Sequence, residues 1–255
     1  MWSVPNDRRP FIAFMAGLIV LAWLALWFWG RSPYGRFLSH ENLEEVGESS
    51  TFLLLFVTGW TVMIVAMMLP TSLPLVMLFH TFTRQRQDRR RLVALLIGGY
   101  LSVWALFGAT AHLADWGLHE AVKHNEWLQS NAWVIGAGTI AVAGLYQFTP
   151  LKYYCLEKCR SPLSFIMGHW RGRHEAIRSL SLGMHHGVFC LGCCWSLMLL
   201  MFAVGMGSLG WMLVLGAVMA VEKNMPWGRM ISTPLGTILL LCGLALAMGN
   251  ASTAQ

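Results

Sequence analysis

Apolar runs long enough to cross a lipid bilayer limit the folds open to this chain more than any other feature. A crossing helix needs about 20 mostly apolar residues. Seven stretches approach or reach that length, at 11–29, 51–69, 92–111, 131–148, 181–203, 207–221 and 233–249. Backbone N–H and C=O groups cannot go unpaired in hydrocarbon, so runs of this kind predict helices. Composition agrees, because of 255 residues 56% are hydrophobic and only 12% charged, where a soluble domain carries about a quarter charged. A soluble core of this size could not enclose 13 Trp, 13 Phe and 16 Met. A soluble enzyme, a nucleic-acid-binding domain and a disordered tail are excluded. The expected fold is all-α: a polytopic membrane helix bundle of about seven transmembrane helices, with 1–255 forming a single integral membrane domain.

Charge then orients the bundle. Fifteen of the 18 basic residues fall in the segments 1–10, 84–91, 149–180 and 222–232; Arg31, Arg36 and Lys123 alone fall in the alternating set. The positive-inside rule makes the first set cytoplasmic. The expected N-terminus is therefore inside and the C-terminus outside, in a bacterial inner (plasma) membrane. The net charge of +6 is read as a topology signal, and no nucleic-acid partner is expected. The first run ends in Trp27, Phe28 and Trp29, an interfacial aromatic belt, and no small-residue cleavage site follows it. Segment 149–180, the longest cytoplasmic piece, is expected to hold at most a short interfacial helix.

The six cysteines are not scattered. Cys155 and Cys159 follow the fourth run, Cys190, Cys193 and Cys194 lie within the fifth beside His185 and His186, and Cys242 is alone in the seventh. None falls in an outward loop, so reduced thiols are expected, as metal binding requires. On a helix, residues at i, i+4 and i+7 or i+8 share a face. His186, Cys190, Cys193 and Cys194 thus form one stripe continuing toward Leu197, Met198 and Met201, while His185 points about 100° away. Cys155 and Cys159 share a face in the same way. Thiolate, imidazole and thioether are soft donors, which select Cu(I), with zinc or an iron centre as the alternatives. Gly183, Gly187 and Gly192 would let another helix approach this stripe closely. Cys242 reads as a packing residue.

Three further places carry chemistry-bearing residues. In the second run Met63, Met67 and Met68 precede Pro70 and Pro74, prolines that break a helix and free carbonyls; Met67 is a candidate Cu(I) contact. At the end of the sixth run Glu222 is a candidate supporting residue, closing the cytoplasmic side of a site or capping against Arg160. The outward stretch beyond 111 places His112, Asp115 and His119 on one helical face, a candidate second site open to the outer compartment. An acidic outer segment, His40, Glu41, Glu44, Glu45 and Glu48, is expected to be a solvated amphipathic helix.

The runs Met67-Met68-Leu69-Pro70, Tyr146-Gln147 with Thr149-Pro150-Leu151-Lys152 and Cys155, Cys159-Arg160 with Pro162, and Gly183, Gly187, Cys190, Gly192-Cys193-Cys194-Trp195 with Met198 resemble a bacterial domain-of-unknown-function family of predicted metal-binding integral membrane proteins. The resemblance covers roughly 60–225. It implies metal binding at these cysteines; the outer His112, Asp115 and His119 group is not part of the pattern.

The leading expectation is a membrane metal-binding protein handling Cu(I) for transport or for delivery to a membrane copper enzyme. In this reading the ion enters at Cys155 and Cys159 and passes to His186, Cys190, Cys193, Cys194 and the methionines. No catalytic residue is assigned. A second reading is a non-catalytic subunit or assembly factor packed against other integral membrane subunits. A third, a thiol oxidoreductase using Cys190 and Cys193 as a C-x-x-C pair, is disfavoured by depth in the bilayer and by the adjacent Cys194.

Overall fold

The computed structural model describes residues 9–31, 50–170, 174–204 and 208–253. Every regular element among them is helical: α1 (Arg9–Arg31), α2 (Ser50–Met67), α3 (Leu69–Phe82), α4 (Arg89–Lys123), α5 (Glu126–Ser130), α6 (Trp133–Tyr146), α7 (Pro150–Arg160), α8 (Pro162–His169), α9 (Glu175–Val204), α10 (Leu209–Asn224), a short tight turn of helix at Gly228–Ile231, and α11 (Ser232–Thr253). The acidic segment around Glu41–Glu48 lies outside the described residues.

Four helices are long and apolar enough to cross a membrane, at Pro10–Arg31, Arg89–Lys123, Glu175–Met201 and Gly228–Asn250, and six crossings result if each of two bent pairs is one span. The expected sixth crossing, 207–221, corresponds to α10, whose 16 residues extend about 24 Å, short of a hydrocarbon core of about 30 Å. By length and composition, up to six crossings are thus present among the described residues, and the expected sixth run is not one of them.

Proline sets both bends. α2 and α3 meet at 68° across Met68, with Pro70 in the first turn of α3 and Pro74 inside it; a proline removes one helical donor and crowds the preceding turn. α6 and α7 meet at 64°. There Thr149 caps the new helix, its side chain accepting from the Lys152 backbone N–H at 3.3 Å, and Pro150 takes the first position. The described residues of 149–180 thus form two short helices and the start of α9 where at most one was expected, and α7 packs against α9.

α9 is the axis of the molecule, packed against α4, α6 and α7. Gly99 and Gly183 permit its crossing with α4: a Cβ on either would strike backbone atoms of the other helix. The main core gathers Trp60, Met68, Trp104, Cys190, Cys194, Leu197, Met198 and Met219. A second core of Leu75, Phe79, Leu92, Leu96, Phe165 and Leu182 joins α3, α4, α8 and the start of α9. The outer surface is apolar as well, with Phe28, Leu54, Leu106, Leu241 and Met248 exposed, more than a soluble monomer normally leaves in contact with water.

Trp60 ties α2 to α4. Its indole N–H donates to the Trp104 carbonyl at 2.9 Å, and its ring lies over Gly108, where a Cβ would collide with it. Trp60→Phe is expected to cost about 1–2 kcal/mol through the lost hydrogen bond and volume, read as a lower midpoint of detergent-induced unfolding.

Candidate metal centre

All three cysteines of the α9 motif face inward, as their spacing requires: Cys190, Cys193 and Cys194 are buried. The Cys193 and Cys194 thiols each donate to the Cys190 carbonyl at 3.0 Å, which holds them on one side of the helix. Cys193 Sγ lies 4.0 Å from Cys159 Sγ on α7. That separation is a little under twice a metal–thiolate bond of roughly 2.3 Å, so a single two-coordinate ion fits between this pair with a small adjustment. Cys155, one turn earlier on α7, is buried against Gly192, whose missing side chain makes room for its thiol. The helical α7 therefore delivers the expected shared face, and delivers it to the middle of α9.

The thioether neighbour of the thiols is Met68. Its Sδ is 3.9 Å from Cys194 Sγ, and it occupies the break between α2 and α3. Met67, the sequence candidate, turns instead toward Gly216 on α10. Met198 is buried in the main core one turn beyond Cys194.

The His pair divides. His186 is buried one turn before Cys190, its Nε2 3.2 Å from Ser72 Oγ, and its Nδ1 has no hydrogen-bond partner among the described residues. His185 is exposed, hydrogen-bonded through Nδ1 to the Ser181 carbonyl at 2.8 Å, with its ring 5.1 Å from that of His169. It is thus exposed while the thiols of the same helix are buried.

Two polar groups at the centre were not among the sequence candidates. Lys223, at the end of α10, places Nζ 3.0 Å from Cys190 Sγ, 3.6 Å from Cys194 Sγ, 3.7 Å from Met68 Sδ and 3.4 Å from Thr71 Oγ1. Tyr100 of α4 brings its hydroxyl within 3.1 Å of Cys190 Sγ and 3.4 Å of the Met68 carbonyl. An ionisable residue ending an apolar run is a signal of function, and Lys223 carries that signal in the sequence.

Glu222 itself faces the other way. Its Oε1 accepts from Lys152 Nζ and from Ser232 Oγ, both at 2.7 Å, and Lys152 also donates to Gln147 Oε1. Arg160 donates to the Glu222 and Pro226 backbone carbonyls rather than to the carboxylate. The cluster thus sits where the α2–α3 break, the helix α7 that follows the second bend, and the end of α10 converge on α9. Broken helices of this kind carry ligand sites in membrane proteins because their freed polar groups are buried inside protein.

The His112, Asp115 and His119 group lies on the continuous α4. His119 Nδ1 is 3.8 Å from Asp115 Oδ1 and 3.0 Å from the Asp115 carbonyl, while the His112 ring stacks on Phe56 at 4.4 Å. Among the described residues no three His, Cys, Asp or Glu side chains converge into a ready-made metal cage, here or at the thiols. Cys242 is exposed on α11.

Membrane-length helices surrounding buried thiols and a thioether define a helical protein with a soft-donor centre. A family model described as a copper chaperone, PpoB2, matches residues 57–246, and the chain belongs to that family. The match takes in all six cysteines, the α2–α3 break and Lys223. A copper-handling role follows at that level, in agreement with the metal that the donor set selects. Neither the curated proteins nor the solved structures provide a match.

Proposed function

We propose that this chain is an inner-membrane copper chaperone that holds Cu(I) as cargo at the thiols of α7 and α9 and delivers it to a membrane copper enzyme. In this reading the N-terminus is cytoplasmic and the C-terminus outside, and α10 returns the chain from the outer end of α9 toward the cytoplasmic side. Cys155 and Cys159 receive the ion; Cys193, Cys190 and Cys194 take it onward, with Met68, His186 and Met198 lining the route. The observation that carries the reading is the Cys159–Cys193 approach at 4.0 Å, which joins two cysteine blocks far apart in sequence. Ligand exchange along neighbouring soft donors suits a monovalent ion that accepts few ligands. No nucleotide-binding motif accompanies the site, so passage of the ion rests on exchange with a partner. Zinc or an iron centre fits less well, since structural zinc takes four ligands and no such cage forms among the described residues.

The test is metal content under reducing conditions. Wild-type protein in detergent, loaded with Cu(I) and desalted, is expected to retain about one copper per chain. Cys190→Ser/Cys194→Ser and Cys159→Ser/Cys193→Ser are each expected to lose most of it. Protein that retains no metal, and that carries a reducible Cys190–Cys193 disulfide, would overturn the reading in favour of thiol redox chemistry.

A further inference from the structure

Lys223 is buried, and no carboxylate lies within ion-pairing distance of it among the described residues. The one acidic side chain nearby in sequence, Glu222, is occupied by Lys152 and Ser232. All the polar neighbours of the Lys223 ammonium are soft or neutral: two thiol sulfurs, a thioether and the Thr71 hydroxyl. A buried cation is retained only where something neutralises it. Here the nearest groups able to carry the offsetting negative charge are the sulfurs of Cys190 and Cys194.

We propose that Lys223 is the fixed counter-cation of the thiol cluster and that it sets the preference of the cluster for a monovalent over a divalent soft ion. The inference rests on the copper-chaperone reading above and adds what selects the cargo. Its basis is charge. The two thiols in reach of Lys223 are Cys190 and Cys194, and an ion held by that pair meets two thiolates. Cu⁺ with two thiolates carries −1, and with the Lys223 ammonium the buried unit sums to zero. Zn²⁺ with two thiolates is already neutral, so the same ammonium would leave +1 buried in apolar surroundings. Loading balances simply: each neutral thiol that becomes a ligand releases one proton, each thiolate releases none, and no electron is transferred.

Lys223 thereby acts as a positioning and specificity residue, touching the sulfurs and not ligating the ion. Its place at the end of α10 also means that the cation enters the cluster on a different helix from every cysteine. The selectivity of the site is therefore separable from its ligands.

The experiment compares full-length wild type, Lys223→Met and Lys223→Arg in detergent. Cu(I) and Zn(II) affinities are measured by competition with chromophoric chelators, and folding is checked by helical circular dichroism and gel filtration. Lys223→Met is expected to weaken Cu(I) binding by about 10-fold or more while Zn(II) binding is unchanged or tighter, and Lys223→Arg to restore the wild-type ratio. Equal losses for both ions, or none for either, would overturn the proposal while leaving the chaperone reading intact. Failure of wild type to hold Cu(I) in a cysteine-dependent way would overturn both.

Discussion

Lys152→Met should destabilise the protein by about 3–5 kcal/mol, because it strands a carboxylate inside the bundle. Lys152 is 0% and Glu222 2% exposed, so solvent screening does not reduce the figure. The pair is fully satisfied as it stands. Glu222 Oε1 accepts from Lys152 and Ser232 at 2.7 Å each, and Gln147 Oε1 accepts a further hydrogen bond from the Lys152 ammonium. Removing the ammonium leaves the charge with one hydroxyl, and removing the carboxylate in Glu222→Leu leaves the ammonium with one amide. Each single variant should fall by an amount comparable to a large part of a fold's total stability, typically 5–15 kcal/mol. The double variant Lys152→Met/Glu222→Leu should recover most of the loss, since an apolar pair of similar volume avoids both desolvation costs. SDS titration in mixed micelles reads the cycle. Single variants within about 1 kcal/mol of wild type would show that the pair is not buried as described.

The same substitution should disturb metal retention. Glu222 and Lys223 are consecutive on α10, and the Lys152 pair on one side fixes the end of the helix that carries Lys223 into the thiols on the other. Adjacent residues on a helix point about 100° apart, so one side chain can anchor to α7 while the next enters the cluster. That division of labour explains two consecutive buried charges at the end of an apolar helix.

This geometry also explains what could be read from the sequence. The Cys190, Cys193, Cys194 and His186 stripe depends only on helical period, and the period is local information. The separation of His185 from that stripe follows from the same rule. The bend before α3 was visible in Pro70 and Pro74. Tyr100 and Met68 were not legible as site residues, and Lys223 only as an ionisable residue ending an apolar run, because their roles come from the folding of distant helices onto α9. Tyr100 is 90 positions from Cys190, and no periodicity links them. Met67 and Met68 are neighbours, and only the direction of the broken helix decides which sulfur meets Cys194. The 149–180 segment holds more buried structure than its composition indicates. Its basic residues marked a cytoplasmic loop, yet Lys152 is paired and buried and Cys155 packs under Gly192. Charge counting treats each basic residue as solvated, which a buried ion pair is not.

Gly183→Leu is expected to abolish metal retention and to cost at least about 3 kcal/mol, beyond ordinary overpacking because backbone rather than side chain stands in the way. Gly183 and Gly187 are four apart on α9 and face α4, the spacing that lets two helices approach closely. A Cβ at Gly183 would strike the Leu96 carbonyl and the Tyr100 nitrogen, and a Cβ at Gly99 would strike the Leu180 carbonyl. No rotamer change relieves such collisions, so α4 and α9 must separate. Tyr100, now 3.1 Å from Cys190 Sγ, would move with α4, and the Ser72–His186 contact at 3.2 Å would lose its support. Gly183→Ala should fall between wild type and Leu in both stability and copper content. Gly98→Ala is the control: its Cβ meets nothing within 4 Å, and replacing glycine inside a helix should be neutral or stabilising by up to about 1 kcal/mol. If Gly183→Leu retains copper like wild type, the α4–α9 crossing does not position the thiol cluster. If Gly98→Ala loses copper as well, the effect belongs to helix composition and not to the crossing.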